Sequence, residues 1–418
     1  MAIAPLVTRL ALVERQEWPL VTGAFAYFFC LLCGYYLVRP VRDEMGIQAG
    51  LHNLPWLFTA TLCAMLVAVP IFGWLSSRYP RRALLPFVYL FFAINVGVFY
   101  TLFARQIAIA TTAKVFFVWV SVFNLFVVSV FWSFMADIFS TAQAKRLNGL
   151  IAAGGSTGAL AGPLLAASLA EQLGVAHLLL LSVAFLLGAV GCIIYLKGKA
   201  LNHHSAAKQA PALGGGSFDG ITLVLRSPYL LAICGFVLLY STLSTFLYFQ
   251  QQTIVAAAFS DSAVRTALFA KMDLATNGLT LLIQLLLFNR LIKVAGIAIG
   301  LVATPLLSVL GFLALAMAPT LAVLVVFGVL RRAGEFALAK PVRETLFNGL
   351  SDAEKYKAKN FMDTAVYRTG DAVSAWLFEG LRDLGLNGIA LVGAFGAVLW
   401  TGLGARLVGV QRAKNEGP

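Results

Sequence analysis

Charged residues are scarce in this sequence. Only 12% of the 418 residues are Asp, Glu, Lys or Arg, whereas 60% are hydrophobic. A typical soluble domain carries about twice that share of charge. The composition therefore excludes a soluble or disordered chain and predicts an integral membrane protein.

Histidine and cysteine are also few. The four histidines are scattered or lie in one polar stretch, so they cannot assemble a metal site or a catalytic triad. Cys30 and Cys33 have a CxxC spacing within an apolar run, where packing of small residues is a better interpretation than a redox pair. The sequence contains no P-loop. We therefore expect a protein that is not an enzyme and that uses no metal and no cofactor.

Long apolar runs are the most prominent feature of the sequence. A helix needs about 20 mostly apolar residues to cross the bilayer core, and it pairs its own backbone polar groups there. The runs predict an all-α membrane protein with twelve transmembrane helices. The predicted spans are residues 18–38, 55–76, 84–104, 114–136, 147–170, 176–196, 229–250, 266–288, 296–317, 320–339, 358–378 and 386–405.

The positions of Lys and Arg predict the orientation. If both termini are cytoplasmic, the inner loops hold most of the 31 basic residues, as the positive-inside rule requires. The net charge of +13 then needs no nucleic-acid partner. Short loops fit a bacterial inner membrane, and we expect a monomer in the lipid bilayer.

A polar stretch divides the chain into two pseudo-repeated halves. The predicted parts are an interfacial segment (1–17), a six-helix half (18–196), a cytoplasmic linker (197–228), a second six-helix half (229–405) and a cytoplasmic tail (406–418). A shift of 212 positions aligns equivalent loops, for example Arg78 with Arg290 and Gly158 with Gly370. Such duplication is typical of secondary transporters.

The loop after the second span reads GWLSSRYPRR. Together with the two six-helix halves, it resembles the signature loop of the major facilitator superfamily, although Ser77 and Pro80 replace the Asp and Gly of that pattern. The resemblance implies a central cavity lined by the first, fourth, seventh and tenth spans. It also implies an inner gate, for which simple positive-inside anchoring is the alternative. The expected gate residues are Arg78, Arg81 and Arg82.

A narrower resemblance involves three stretches: YYLVRPVRDEMG (35–46), GIAIGLVATPLL (296–307) and LFNGLSDAEKYKAKNFMDTAVYRTGD (346–371). They resemble the nucleotide transporter family, the ATP/ADP antiporters of plastids and intracellular bacteria. Three glutamines, at positions 250 to 252, stand where that family would have an acidic and a basic residue. The resemblance therefore bears on the fold more than on a nucleotide substrate.

Small residues recur in GGSTGALAGP, residues 154–163. Gly154, Gly158 and Gly162 lie at four-residue spacing, on one face of a helix. This pattern predicts a close helix crossing. Tight static packing and a sliding contact are both compatible with it.

Charged residues follow directly after the apolar run of the first span. Pro40 predicts that the helix ends near Arg39. Arg39 would then point back along Tyr35 and Tyr36 into the outer mouth of a cavity. Its guanidinium fork matches carboxylate or phosphate, which predicts contact with an anionic ligand.

The alternative for this segment is an outer gate. Arg39 and Arg42 would then pair with neighbouring acids and close the mouth. The acids within reach are Asp43, Glu44 and Asp261. We expect Arg42 and Asp43 to belong to such a gate.

Other residues on the cavity-lining spans complete the predicted substrate site. They are Asn124, Tyr240, Tyr248, Gln251, Arg331, Arg332 and Glu335. Glu335 is within helical reach of both arginines, but adjacent helical positions point about 100° apart. One arginine is therefore expected to pair with Glu335 and the other to remain available to a ligand.

Carboxyl groups within the spans are candidates for proton coupling. Asp273 shares a helical face with Asn277 and has only amide neighbours there, which makes it the first candidate. Glu335 is the second. The eleventh span adds residues that form either a structural charge network or part of the coupling path. These are Asp363, Arg368 and Asp371.

The sequence therefore predicts a secondary active transporter with a small-molecule substrate. The expected substrate is an organic anion, nucleotide-like or a phosphorylated or carboxylated metabolite, moved by alternating access through exchange or with protons. One alternative is a proton-driven exporter of a neutral or cationic molecule. Another is a receptor or lipid-handling scaffold that does not transport.

Overall fold

The computed structural model describes residues 13–78, 81–200, 219–348, 350–351 and 357–415. Nearly all of these residues are helical, and no strand occurs within these ranges. The prediction of an all-α protein is confirmed. Helices suit a membrane because each one pairs its backbone groups internally.

Six long helices follow the first six predicted spans. They are α1 (Trp18–Gln48), α2 (Leu54–Arg78), α3 (Arg81–Ala104), α4 (Ile109–Ile138), α5 (Thr141–Leu173) and α6 (Val175–Ala200). A 3₁₀ turn, Leu51–Asn53, precedes α2. The start of α5 is fixed by a capping box, in which Ser140 and Gln143 bond each other's backbone N–H groups.

The second part of the chain contains more interrupted helices. They are α7 (Asp219–Arg226), α8 (Pro228–Ala258), α9 (Ser262–Leu282), α10 (Phe288–Ala295), α11 (Thr304–Met317), α12 (Leu321–Gly334), α13 (Lys340–Thr345), α14 (Lys359–Phe361), α15 (Tyr367–Gly380) and α16 (Gly385–Asn415). π turns that lie wholly within the described residues interrupt them at Ile283–Leu287, Ile299–Ala303, Glu335–Ala339 and Met362–Val366. π turns of this kind are frequent at functional sites.

Within the described ranges, ten helices are long and apolar enough to cross a membrane. The other two predicted spans, 320–339 and 358–378, fall on α12 and α15 with their π turns. Both spans carry several charged side chains, which lower their hydropathy. The charged residues are Arg331, Arg332 and Glu335 in the first and Lys359, Asp363, Arg368 and Asp371 in the second.

Helix starts follow the predicted repeat. Helix α1 begins at Trp18 and α8 at Pro228, 210 positions later. Helix α4 begins at Ile109 and α12 at Leu321, a shift of 212 positions. The repeat is therefore visible in the helices as well as in the loops of the sequence.

The predicted end of the first helix near Arg39 is wrong. Helix α1 continues through Pro40 to Gln48. An interior proline costs about 3 kcal/mol in an exposed helix. Here the residues beyond it are packed against other helices: Val41 and Glu44 are fully buried and Met45 nearly so. This burial outweighs the missing hydrogen bond.

The predicted close crossing at the glycine stripe is confirmed. Gly154, Gly158 and Gly162 of α5 face the backbone of α1. A Cβ added at these positions would meet the carbonyl groups of Phe25, Phe29 and Cys33, respectively. Only glycine lets the two backbones approach so closely.

The described residues form two compact units. Unit 1 comprises those within Met1–Gly50, Cys63–Ala210 and Asp261–Leu274. In it, α1 packs against α4, α5 and α6. Its core is aromatic, and the Phe28 and Phe131 rings stack with their centroids 4.0 Å apart. The first part of α9 belongs to this unit.

Unit 2 comprises the described residues of Leu51–Leu62, Pro211–Ser260 and Ala275–Pro418. In it, α8 packs against α15 and α16, and α11 packs against α16. The first part of α2 belongs here: the Trp376 indole donates a hydrogen bond to the Thr59 hydroxyl over 3.0 Å. The Phe58 ring lies 5.3 Å from that of Phe249.

Candidate functional site

Arg39 lies on α1 in unit 1. Because α1 continues past it to Gln48, Arg39 lies within the helix and packs beside α9. Its side chain is 20% exposed, and one Nη1–Oδ1 distance of 3.4 Å joins it to Asp273 of α9, which is 2% exposed. The guanidinium also lies 5.7 Å from the centroid of the Tyr36 ring. Tyr35 and Tyr36 are half-buried beside it.

This contact corrects the interpretation of Asp273. The sequence suggested a carboxyl with amide neighbours only, because reasoning along one helix does not reveal partners on another. In the structure Asp273 has an arginine beside it. The premise of amide neighbours only, which made Asp273 the first candidate for carrying a proton, is therefore wrong.

Two further contacts join α1 to α9 within unit 1. Glu44 accepts hydrogen bonds from Nε and Nη2 of Arg265, at 2.7 and 2.6 Å. Gln48 donates a hydrogen bond to the Ser262 hydroxyl over 3.1 Å. Arg265 is not among the residues that the sequence singles out, so this ion pair was not predicted. The polar positions 39, 44 and 48 were the available signal, but only the continuous helix brings all three within reach of α9.

The other residues expected at an outer gate have separate partners. Arg42 lies 3.2 Å from the Asp43 carboxylate, and its guanidinium stacks 4.0 Å from the Phe117 ring centroid. On the predicted inner side, Arg78 is exposed and lies against the Trp74 ring. The side chains of Arg81 and Arg82 lie outside the described residues.

Arg331 lies in the interior of unit 2. Its guanidinium donates hydrogen bonds to Ser308 of α11 at 3.3 Å and to Ser244 of α8 at 2.9 Å. A third bond, of 3.3 Å, reaches the Tyr240 carbonyl. The rings of Tyr240 and Trp400 lie within 6 Å of the guanidinium. A buried arginine is thus held by neutral groups from three helices.

Among the described contacts, Arg331 pairs with neutral groups and not with Glu335. Glu335 begins the π turn after α12 and is 6% exposed. No described donor reaches its buried Oε2. Arg331, one turn earlier on α12, points instead to α8 and α11, because the serine hydroxyls and the Tyr240 carbonyl lie there. Arg332 is half-buried.

A polar seam joins α8 and α15 in unit 2. Asp371 accepts a 2.7 Å hydrogen bond from the Ser241 hydroxyl and lies 3.4 Å from Arg368, as the i, i+3 spacing predicts. Asp363 pairs with Arg343 of α13 at 2.8 Å. These contacts fit both interpretations of this span, a structural charge network and part of a coupling path.

The remaining candidates are divided between the two units. Asn124 is half-buried on α4 in unit 1. Tyr240, Tyr248 and Gln251 lie on α8 in unit 2, with Gln251 8% exposed. Asn277, on the part of α9 that belongs to unit 2, is half-buried.

Long apolar helices, a twofold repeat and buried charges within spans define a membrane transporter fold. The family model of the Major Facilitator Superfamily matches residues 21–339. The chain belongs to this superfamily of transporters, and the main resemblance seen in the sequence is confirmed. Comparison with curated protein sequences finds none that matches.

Solved structures of transporters share the fold. An auto-inhibited peptide transporter of the POT family has a TM-score of 0.65 at 13% identity, covering 96% of this chain and 97% of that one. The nucleoside transporter NupG has a TM-score of 0.61 at 13% identity, covering 95% and 99%. A bacterial homologue of the iron transporter ferroportin, in an inward-facing state, has a TM-score of 0.65 at 14% identity, covering 94% and 98%. At such identities the likeness concerns the fold alone.

Proposed function

We propose that this protein is a secondary active transporter that moves a small organic anion by alternating access, through exchange or with protons. The observation that carries the proposal is the loosely engaged guanidinium of Arg39. Membership of the superfamily supports a transport function, and Arg39 supports an anionic substrate.

The comparison with Arg265 supports this role for Arg39. Arg265 places two nitrogen atoms on the Glu44 carboxylate at hydrogen-bond distance. The Nη1–Oδ1 distance from Arg39 to Asp273 is 3.4 Å, longer than the roughly 2.7–2.9 Å of a charge-assisted hydrogen bond. A guanidinium has five N–H donors. Among the described residues, Arg39 donates none of them at hydrogen-bond geometry.

The substrate class follows from the chemistry of the fork. Two parallel N–H groups match the paired oxygens of carboxylate or phosphate. The half-buried Tyr35 and Tyr36 add aromatic surface and hydroxyl groups beside the guanidinium. A carboxylated or phosphorylated metabolite, or a nucleotide-like molecule, would use all of these features.

The proposal includes a location. The excess of Lys and Arg in alternate loops favours cytoplasmic termini, and the short loops favour a bacterial inner membrane. The protein would act there as a monomer, since each chain holds both halves of the repeat.

Thermal stabilisation of the detergent-purified protein tests the anion preference. ATP, phosphoenolpyruvate and citrate would be compared with neutral and cationic compounds, because a ligand of the folded state raises the apparent melting temperature. We expect an anion to stabilise the wild type, and Arg39→Gln to remove the effect. Arg332→Gln tests the second predicted cation, and Arg382→Gln, at an exposed arginine, is the matched control.

Stabilisation only by neutral or cationic compounds, unchanged in Arg39→Gln, would overturn the proposal. It would favour the second candidate function, a proton-driven exporter. The observation behind that candidate is Glu335, a buried carboxyl whose Oε2 has no hydrogen-bond partner among the described residues. In proteoliposomes, Glu335→Gln should then abolish substrate-driven proton movement, whereas Glu379→Gln, nearer the surface, should not.

A further inference from the structure

We propose that Asp273 is a built-in counter-anion for Arg39, one that lets the empty transporter change its orientation. Resting on the proposed function, the inference assigns Asp273 a role that the anionic substrate takes over when it is bound. Asp273 would thereby decide whether the protein performs net transport or exchange alone.

The contacts between α1 and α9 form a ladder of three polar rungs. In order along α1 they are Arg39–Asp273, Glu44–Arg265 and Gln48–Ser262. The two helices run in opposite directions past each other, since the α9 partners descend from position 273 to 262. All three rungs lie within unit 1.

The three rungs differ in tightness. The Glu44–Arg265 rung is a two-point ion pair with both N–O distances below 2.8 Å. The Arg39–Asp273 rung has a single distance of 3.4 Å. A carboxylate or phosphate with two free oxygens could engage Arg39 as Glu44 engages Arg265. An incoming anion can therefore replace Asp273 by making better bonds to the same fork.

Because Arg39 is largely buried, its charge needs a neighbouring anion at every stage of the cycle in which α9 lies against α1. Arg39 is 20% exposed and Asp273 is 2% exposed. Removing one partner of a buried ion pair leaves an uncompensated charge, which is strongly unfavourable. When α9 lies against α1, Arg39 therefore requires an anion. The substrate supplies it in the loaded transporter, and Asp273 supplies it in the empty one.

Asp273→Asn distinguishes the reorientation of the loaded transporter from that of the empty one. The variant keeps the size of the side chain and removes its charge. With a bound anion, Arg39 remains compensated and the loaded transporter can still reorient. Without one, Arg39 has lost its nearest carboxylate, so the return of the empty transporter should slow. Exchange requires only the first step, whereas net transport requires both.

The experiment uses proteoliposomes containing the full chain. The labelled probe is whichever of ATP, phosphoenolpyruvate and citrate stabilises the wild type. Exchange is measured with the same anion on both sides, and net uptake with the anion outside only. For Asp273→Asn we expect exchange within about twofold of wild type and net uptake lower by about tenfold or more. Asp273→Glu, which keeps the charge, should restore much of the net uptake, and Asp383→Asn, at an exposed position, should change neither rate.

Different failures point to different proposals. If the wild type moves none of the three anions, the proposed function fails. If the wild type transports an anion and Asp273→Asn changes exchange and net uptake equally, or changes neither, the role of Asp273 alone is overturned. If Asp273→Glu shows no recovery of net uptake while Asp273→Asn has lost it, charge is not the property that matters and the inference also fails.

Discussion

Arg265 and Glu44 form a two-point ion pair, with Nε–Oε2 and Nη2–Oε1 distances of 2.7 and 2.6 Å. Glu44 is completely buried and the Arg265 side chain is 10% exposed. The pair joins positions 221 residues apart in the sequence. It is the tightest described link between α1 and α9.

Neutralising one member of this pair should destabilise the protein. Glu44→Gln or Arg265→Gln leaves a buried charge without its partner, at a cost of about 3–5 kcal/mol. Thermal unfolding in detergent measures the loss. Arg382→Gln breaks an exposed pair with Glu379 and should cost less than about 1 kcal/mol. Equal small losses in all three variants would mean that the buried pair contributes nothing special.

A disulfide in place of the third rung should stop transport. Gln48→Cys combined with Ser262→Cys replaces two side chains that are already in hydrogen-bond contact. We expect alternating access to separate α9 from α1, so oxidation should abolish flux and a reductant should restore it. Each single-cysteine variant, oxidised in the same way, is the control. Wild-type flux through the cross-linked protein would contradict this requirement and favour a scaffold that needs no movement.

The glycine stripe of α5 gives a test of close packing. A Cβ at position 158 would press on the Phe29 carbonyl and the Cys33 nitrogen of α1. We expect Gly158→Ala to lower stability by about 1–3 kcal/mol, as overpacking does. Gly191→Ala, in α6, is the matched control because nothing lies within 4 Å of the added Cβ. The control should be neutral or slightly stabilising, since alanine favours helices by up to about 1 kcal/mol over glycine.

Arg331 should be more important for stability than for anion binding. Arg331→Gln loses several charge-assisted hydrogen bonds in the interior of unit 2, and we expect a loss of about 2 kcal/mol or more. Arg331→Lys should not compensate, because a single ammonium cannot span the groups that the guanidinium reaches. Arg290→Gln, at an exposed position, is the control. A stable Arg331→Gln variant that has lost anion-dependent stabilisation would instead assign Arg331 to the ligand.

Much of the fold could be predicted from the sequence, because bilayer thickness and backbone hydrogen bonding act on composition alone. The spans, the repeat and the glycine stripe all express local patterns. The end of α1 could not be predicted in this way, since the burial of Val41, Glu44 and Met45 outweighs the effect of Pro40. The π turns leave no recognised sequence signature.

The candidate site was harder to predict for a related reason. Arg39 was recognised from its type and its place, but its partner Asp273 lies 234 positions later in the chain. Glu335 and Arg331 have the spacing of a helical pair, yet Arg331 is directed to Ser244 and Ser308 on other helices. Spacing reveals which residues can meet on one helix, whereas partners across helices depend on packing.

Because α1 is uninterrupted, its length determines how deep in the membrane Arg39, Glu44 and Gln48 lie. Its 31 residues span about 46 Å at roughly 1.5 Å per residue, whereas the hydrocarbon core is about 30 Å thick. Gln48 and Glu44 therefore fall nearer the headgroups. At this rise Arg39 falls deeper than Glu44 by about 7–8 Å and deeper than Gln48 by about 13–14 Å. In a thicker bilayer all three positions would sink towards the hydrocarbon, so lipid chain length should alter how readily water reaches Arg39.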